Sequence, residues 1–341
     1  MHEVISDYAK EIGVELQFGK TVVQYLDNKS ELGVLTKDGE KILGDVVLAC
    51  DGPRSLARSQ VLGLSDNKVN SGYAIFRAYY ELTDEQQKNL LIAKYINVDQ
   101  DQALMHIGRD MHSFIYTWMR GTHLVWVLTH KDDEDIGESW SFPGKIPDVL
   151  KYLDQGGFSD NFKEVVRNTP DDRLVDYKLV WRDPLQSWLA PSNRIILLGD
   201  AAHCHLPTSA QGACQALEDA VTFAVCLEKG NGDIPLSLQV VERIRFNRSH
   251  AIHMSSVSNR NNYHNWDWTP ELAAKYPDVL TVPRPDWVVE FDARKNAEEH
   301  FDQLAADVKA GKKGTIQELS LAAGGSYGIF EGDFDGSNLE V

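Results

Sequence analysis

The chain has 341 residues, 43% hydrophobic and 25% charged, a globular composition long enough for one large domain or two linked ones. Its formal net charge of -17 repels phosphate backbones and anionic lipid, so neither nucleic acid nor a membrane surface is expected as a partner. No apolar run approaches the roughly 18 residues of a bilayer span. The opening MHEVISDYAKEIG lacks the basic start and apolar core of a secretion signal, and a cytoplasmic soluble protein is expected. Cys50, Cys204, Cys214 and Cys226 form no C-x-x-C pair and read as free thiols of a reducing compartment.

In chain order, the first element reads as an amphipathic helix with Val4, Ile5, Tyr8, Ala9 and Ile12 on one face, stopped by Gly13. Strand-like runs follow at Thr21–Tyr25, Leu32–Thr36, Lys41–Leu43 and Asp45–Cys50, with Lys37-Asp38-Gly39 as a hairpin turn. VVLAC at the end of the last run predicts a strand buried on both faces, as in a parallel sheet. From Ser71 to Lys131 the pattern becomes aromatic and alternating, which predicts a separate antiparallel β-layer. Within it His112, Phe114, Tyr116 and Trp118 share one face, with Ser113, Ile115, Thr117 and Met119 opposite. Helical, polar segments are expected over 132–176. A second buried strand follows at Arg194–Leu198, then a helix over Cys214–Glu228 and another through VERIRFNRSHAIHMSSVSNRN. In the latter Arg243, Arg245 and Arg248 are expected on a solvated face. The Gly-, Asp- and Glu-rich tail beyond Gly311 is expected to be loosely packed.

Two turns carry the chemistry. In Cys50-Asp51-Gly52-Pro53-Arg54-Ser55-Leu56-Ala57-Arg58 an apolar strand delivers Asp51 to its carboxyl end, where α/β sheets bind ligands. Gly52 permits positive φ or a close approach, and Ser55 can cap the next helix. In Leu198-Gly199-Asp200-Ala201-Ala202-His203 a second buried strand runs into a Gly-Asp pair, whose carboxylate suits a ribose hydroxyl. Ala201, Ala202, Gly212 and Ala213 are small enough for a flat ligand to lie on the backbone. Gly212 opens a helix whose free N–H groups and dipole favour a phosphate or an electron-rich ring edge. A tight helix–sheet contact explains the same small residues without a ligand.

Together the turns resemble the FAD-dependent aromatic-ring monooxygenases, particularly the salicylate hydroxylase-like branch. Asp51-Gly52 with Ser55 and Arg58 matches the D-G-x-x-S-x-x-R element of that family. Gly199-Asp200-Ala201-Ala202-His203, Pro207, Gln211-Gly212-Ala213 and Glu218-Asp219-Ala220 match its G-D-A-x-H…P…Q-G-x…E-D-A element at the right spacing. Gly72-Tyr73 with Phe76-Arg77, Glu138-Ser139-Trp140 and Trp188 are weaker echoes. The resemblance implies an FAD cofactor held by Asp51, Gly52, Arg58, Gly199, Asp200, Ala201, Pro207, Gly212 and Ala213. NAD(P)H would be the co-substrate, O2 the oxidant, and a small aromatic or polyketide-like molecule the substrate, with the β-layer as pocket wall.

Family members open with a strand, a G-x-G-x-x-G turn and a helix that cradle the pyrophosphate. This sequence carries no such fingerprint and begins at the helix that follows it. The fold expected is therefore mixed α/β: an incomplete Rossmann-like FAD-binding domain over 1–68 and 186–250, an inserted antiparallel β-sheet substrate domain over 69–185, and a helical extension with an acidic tail over 251–341. Neighbouring strand edges and helix faces would lie open to aggregation or to a second chain, as a homodimer or a partner subunit. Thr208 and Ser209 stand where this branch often carries an aromatic or His and then Arg.

His203-Cys204-His205 lacks metal-ligand spacing, and no metal is expected. His205 is a candidate for proton handling near the flavin, and Arg77 and Tyr116 are candidates for contact with a phenolate. Glu218 and Asp219 are expected to form buried hydrogen bonds. No G-x-S-x-G of hydrolase type occurs. Beside the monooxygenase, two other functions stay open: a non-catalytic or partner-dependent family remnant, and a flavin-independent cyclase or isomerase.

Overall fold

The structure, a computed structural model, describes residues 2–65, 69–96, 99–132, 142–182, 184–264, 269–275 and 286–314. Helix α1 (His2–Glu11) leads into an antiparallel sheet of β1 (Val22–Asp27), β2 (Leu32–Thr36) and β3 (Lys41–Leu43). The β2–β3 hairpin closes at Gly39, where φ of +87° requires glycine, as Lys37-Asp38-Gly39 implied. Strand β4 (Val47–Ala49) and the short helix α2 (Ala57–Gln60) complete this first stretch.

The chain then builds β5 (Val69–Glu81), the short helix α3 (Asp84–Lys88), β6 (Gln102–Gly108), β7 (Met111–Trp118) and β8 (His123–Lys131). Helices α4 (Ile146–Gln155) and α5 (Asp160–Arg167) follow, then β9 (Val175–Trp181). These strands form one antiparallel sheet in the order β6-β7-β8-β5-β9. The aromatic alternation thus yields the expected β-layer. Strand β9 lies where helical segments gave way in the sequence; its signal is the alternation of Val175, Tyr177 and Leu179 with Asp176 and Lys178. One sheet face is closed by α4 and α5, where Phe76, Trp126, Leu128, Leu153, Phe162 and Val165 form a dry core.

The chain returns through β10 (Ile195–Leu197), which pairs in parallel with β4, Ile195 opposite Val47 and Leu197 opposite Ala49. Helices α6 (Gly212–Lys229), α7 (Ile234–His264), α8 (Pro270–Lys275), α9 (Asp286–Val289) and α10 (Ala293–Lys309) follow. A second core forms where α6, α7 and α10 pack on the parallel pair, with Trp188, Ile196, Leu197, Val241, Ile244 and Phe301 buried. Helix α7 runs unbroken for 31 residues, so residue 251, expected to begin an extension, continues this helix.

One expectation needs correction. Arg245 and Arg248 do not face solvent. Both are buried, at 0% and 4% exposure, because Glu218 and Asp219 on α6 neutralise them. In α1 the apolar stripe exists but no described residue covers it, and Val4 stays 71% exposed and Tyr8 61%. Glu138-Ser139-Trp140 and the tail from residue 315 lie outside the described residues.

Candidate functional site

Strands β4 and β10 run side by side, so their carboxyl ends deliver both glycine-bearing turns to one place. There a cavity of about 720 Å³ opens between the turns, the start of α6 and strand β9. Gly52, Gly199, Asp200, His205, Pro207, Gly212 and Ala213 all line it. Gly52 and Gly199 adopt φ of +84° and +58°, which a side chain would strain. A Cβ on Gly199 would also press on Ala216 at 3.4 Å.

The second turn is held from behind. The buried Asp219 carboxylate accepts the Gly199 N–H at 2.9 Å and pairs with His203 Nε2 at 2.7 Å. Arg245 Nε donates to its other oxygen at 2.8 Å. Burial pushes the Asp219 carboxyl up, but His203 and then Arg245 outweigh it and hold the group well below the usual carboxylate range. Arg245 also reaches Glu218 and Gln215, and Arg248 grips both Glu218 oxygens. The matched Glu218-Asp219 pair is therefore the anchor of the turn, as its buried position predicted.

Asp200 stands differently. Burial raises its carboxyl above the usual value, His203 and Arg58 opposing. Among the described residues its carboxylate accepts no hydrogen bond, and its Oδ1 lies 3.9 Å from where a Gly212 Cβ would sit. Residue 210 precedes the helix in the left-handed region at φ +52°, and Gln211 caps α6 without a side-chain bond. The first N–H groups of an 18-residue helix thus start beside a carboxylate with spare acceptor capacity and a floor of Gly and Ala.

The first turn is a brace. Tyr25 donates its hydroxyl to Asp51 at 2.9 Å. Arg58 is buried, donating from Nε to the Ala201 carbonyl at 2.8 Å and from a terminal nitrogen to Ala202 at 3.2 Å. Asp51, Arg58 and Ala201, expected at the cofactor, do not line the cavity; Arg58 ties one turn to the other. Ser55, expected to cap α2, stands one residue before its N-cap Leu56 and accepts the Ala57 N–H at 3.1 Å in a local turn.

His205 lines the cavity and gives its Nε2 proton to the Ser249 carbonyl at 3.1 Å. Nδ1 is therefore the acceptor nitrogen, buried with no hydrogen-bond partner among the described residues. Burial, then His203 and His253, keep this imidazole well below its usual pKa, so it is neutral. Thr208 donates to the Ser256 carbonyl on α7, which pins the loop that follows.

Arg77 and Tyr116 do not reach the cavity. Arg77 lies opposite Val127 and Val175, one row of the sheet beyond Ile75 and Tyr177, and Tyr116 lies a further row out, stacked on Phe114. Two residues of strand span roughly 7 Å, so alternation alone placed them on the right face but not at the right height. Tyr177 and Leu179 of β9 form the wall instead, with Phe223 of α6 and Cys50 also lining the space. Among the described residues no group of three or more His, Cys, Asp or Glu could hold a metal ion.

A carboxylate acceptor, a helix N-terminus and a small-residue floor fit the ribose and the ring of a flavin nucleotide, and that defines a flavin-dependent oxidoreductase site. A family model described as an FAD binding domain matches residues 188–230, which contain the second turn and all of α6. The FAD-dependent monooxygenase nanF of Aspergillus nanangensis is 31% identical over 95% of this chain and 71% of its own length. The solved structure of CtdE with FAD and substrate 4 superposes with a TM-score of 0.82 at 30% identity, covering 90% of this chain and 74% of that one. A salicylate hydroxylase substrate complex, at 23% identity and a TM-score of 0.72 over 89% of this chain and 74% of that one, shares the fold. The chain belongs to the FAD-dependent monooxygenases. It is an oxidoreductase whose cofactor is FAD, and NAD(P)H is the co-substrate of that family.

Proposed function

We propose that this chain hydroxylates or epoxidises an aromatic or polyketide-like small molecule, in secondary metabolism or aromatic catabolism. Substrate-H, O2, NAD(P)H and a proton give substrate-OH, NAD(P)+ and water in the hydroxylation. When bound, FAD supplies the redox chemistry, carrying electrons from NAD(P)H to O2 so that one oxygen atom reaches the substrate. The observation that carries this reading is the Asp200 carboxylate, partly buried and without a hydrogen bond among the described residues, beside the open N-terminus at Gly212. A ribose hydroxyl donating to Asp200 would offset the burial that raises its carboxyl.

Gly52, Gly199, Pro207, Gly212 and Ala213 let a flat ring approach the backbone. Tyr177, Leu179 and Phe223 exclude water, which strengthens each polar contact inside. The His205 ring, tethered through Nε2 to the Ser249 carbonyl, forms part of the cavity wall. Being neutral, it adds no charge there.

The test is an FAD titration followed by flavin fluorescence, together with FAD-dependent NAD(P)H oxidation. Saturable binding with substrate-stimulated NAD(P)H consumption is expected. Product formed with FAD rigorously removed would instead support a cyclase or isomerase. One observation favours a second reading, in which another chain completes the site: Val4, Ile5, Tyr8, Ile12 and Phe18 lie exposed around α1. That reading predicts FAD affinity that rises with protein concentration.

A further inference from the structure

The second turn is a thin wall between two cavities. Its front lines the large cavity through Gly199, Asp200, Cys204 and His205. Its back, through Ala202, His203 and Cys204, lines another cavity of only about 10 Å³. Arg182 and Trp188, from the segment before β10, line that small cavity on one side, and His250 and His253 of α7 line it on another. Arg182, Trp188, Ala202, His203 and His253 are all buried, so the space lies in the protein interior. An interior space of that size has room for one water molecule.

Two polar atoms of its lining side chains, Trp188 Nε1 and His203 Nδ1, are buried with no hydrogen-bond partner among the described residues. The two rings lie 5.2 Å apart between centroids. Their needs are complementary. An indole N–H only donates. His203 Nε2 lies 2.7 Å from the ionised Asp219 carboxylate, which only accepts, so Nε2 carries a proton and Nδ1 of the neutral ring is the acceptor. One water that accepts from the indole and donates to Nδ1 satisfies both, and a buried polar pair left unmet is costly.

We propose that one water molecule is bound in this small cavity, bridging the Trp188 indole N–H to His203 Nδ1, and that Trp188 acts through it as a positioning residue for the second turn. The water fixes the orientation of the His203 ring. His203 in turn holds Asp219, and Asp219 accepts the Gly199 N–H at 2.9 Å. Trp188 is itself anchored: its backbone N–H donates to Glu242 at 2.6 Å, and its carbonyl accepts the Leu197 N–H at 2.9 Å. The link therefore runs from α7 and β10, through one water, to the Gly199 backbone at the large cavity. Its consequence for FAD rests on the flavin reading of that cavity, whereas the water itself is detectable without flavin.

The test begins with a high-resolution crystal structure of the unaltered protein. A density peak within hydrogen-bond distance of both Trp188 Nε1 and His203 Nδ1 is expected; no peak, or one that reaches only one of the two atoms, would overturn the proposal. An anomalous signal at the peak after a bromide soak would overturn it too, in favour of an anion. Trp188→Phe removes the donor. The peak is expected to vanish, exchange of the Gly199 N–H to quicken, and FAD affinity by flavin fluorescence to fall roughly three- to tenfold. If that variant fails to fold, benzothienylalanine at position 188, which replaces the N–H by sulfur in a ring of the same shape, supplies the comparison. A folded variant with slower melting alone, its Gly199 exchange and FAD affinity both within about twofold of the unaltered protein, would overturn the positioning role. Gly199 exchange reads the link without flavin, so a failed flavin site is not mistaken for a failed water bridge.

Discussion

Asp51-Gly52 and Gly199-Asp200 are near mirror images in sequence, each closing a parallel strand with a carboxylate and a glycine of positive φ, yet they do different work. Asp51 is engaged by Tyr25, and Arg58 fastens the first turn to the Ala201 and Ala202 carbonyls. Asp200 keeps its acceptor capacity because Asp219, one helix behind, takes over the anchoring of the second turn. A binding carboxylate differs from a bracing one in where its hydrogen bonds already go, not in its residue type or its place after a strand.

The largest test of that division removes the anchor. Asp219→Ala leaves Arg245 uncompensated in a buried site and strips the Gly199 N–H of its acceptor. A loss of about 3–5 kcal/mol is expected in urea unfolding. A change below about 1 kcal/mol would show that the second turn holds itself. Removing the brace should cost less: Arg58→Ala orphans two carbonyls, and about 2–3 kcal/mol is expected from the same measurement.

Acid should separate the turns without mutation. His253 is buried and held down to about 3, burial being the main cause, and His205 shifts in the same direction. Both fold neutral, so below the ordinary value of 6.5 the unfolded chain binds more protons and stability falls as pH drops from 6.5 toward 3. The His253 imidazole contributes a loss of about 1.6 kcal/mol between pH 6.5 and pH 5, and His205 adds to it in the same direction. Hydrogen exchange should quicken over 199–205 before 50–58, and His253→Phe should flatten the pH slope. Equal quickening in both turns would erase the distinction.

The second turn was legible because its signals are local. A glycine that needs positive φ, a carboxylate at a strand end and a helix opening on Gly-Ala are all properties of short segments. What escaped depends on partners distant in sequence. Arg245 and Arg248 look like a solvated stripe until α6 brings Glu218 and Asp219 against them. Arg77 and Tyr116 lie on the expected face, but only the β5–β9 register shows that Tyr177 occupies the wall. The part played by Arg58 is set by a contact 143 residues away.

The most direct measurement compares FAD affinity in Asp200→Asn and Asp51→Asn by flavin fluorescence. Asp200→Asn is expected to weaken binding roughly tenfold or more through the loss of a charged acceptor, with stability at pH 7 undiminished because a partly buried charge is gone. Asp51→Asn is expected to stay within about twofold of the unaltered protein. Equal losses in the two variants, or a loss confined to Asp51→Asn, would contradict the assignment of the second turn as the flavin-binding surface.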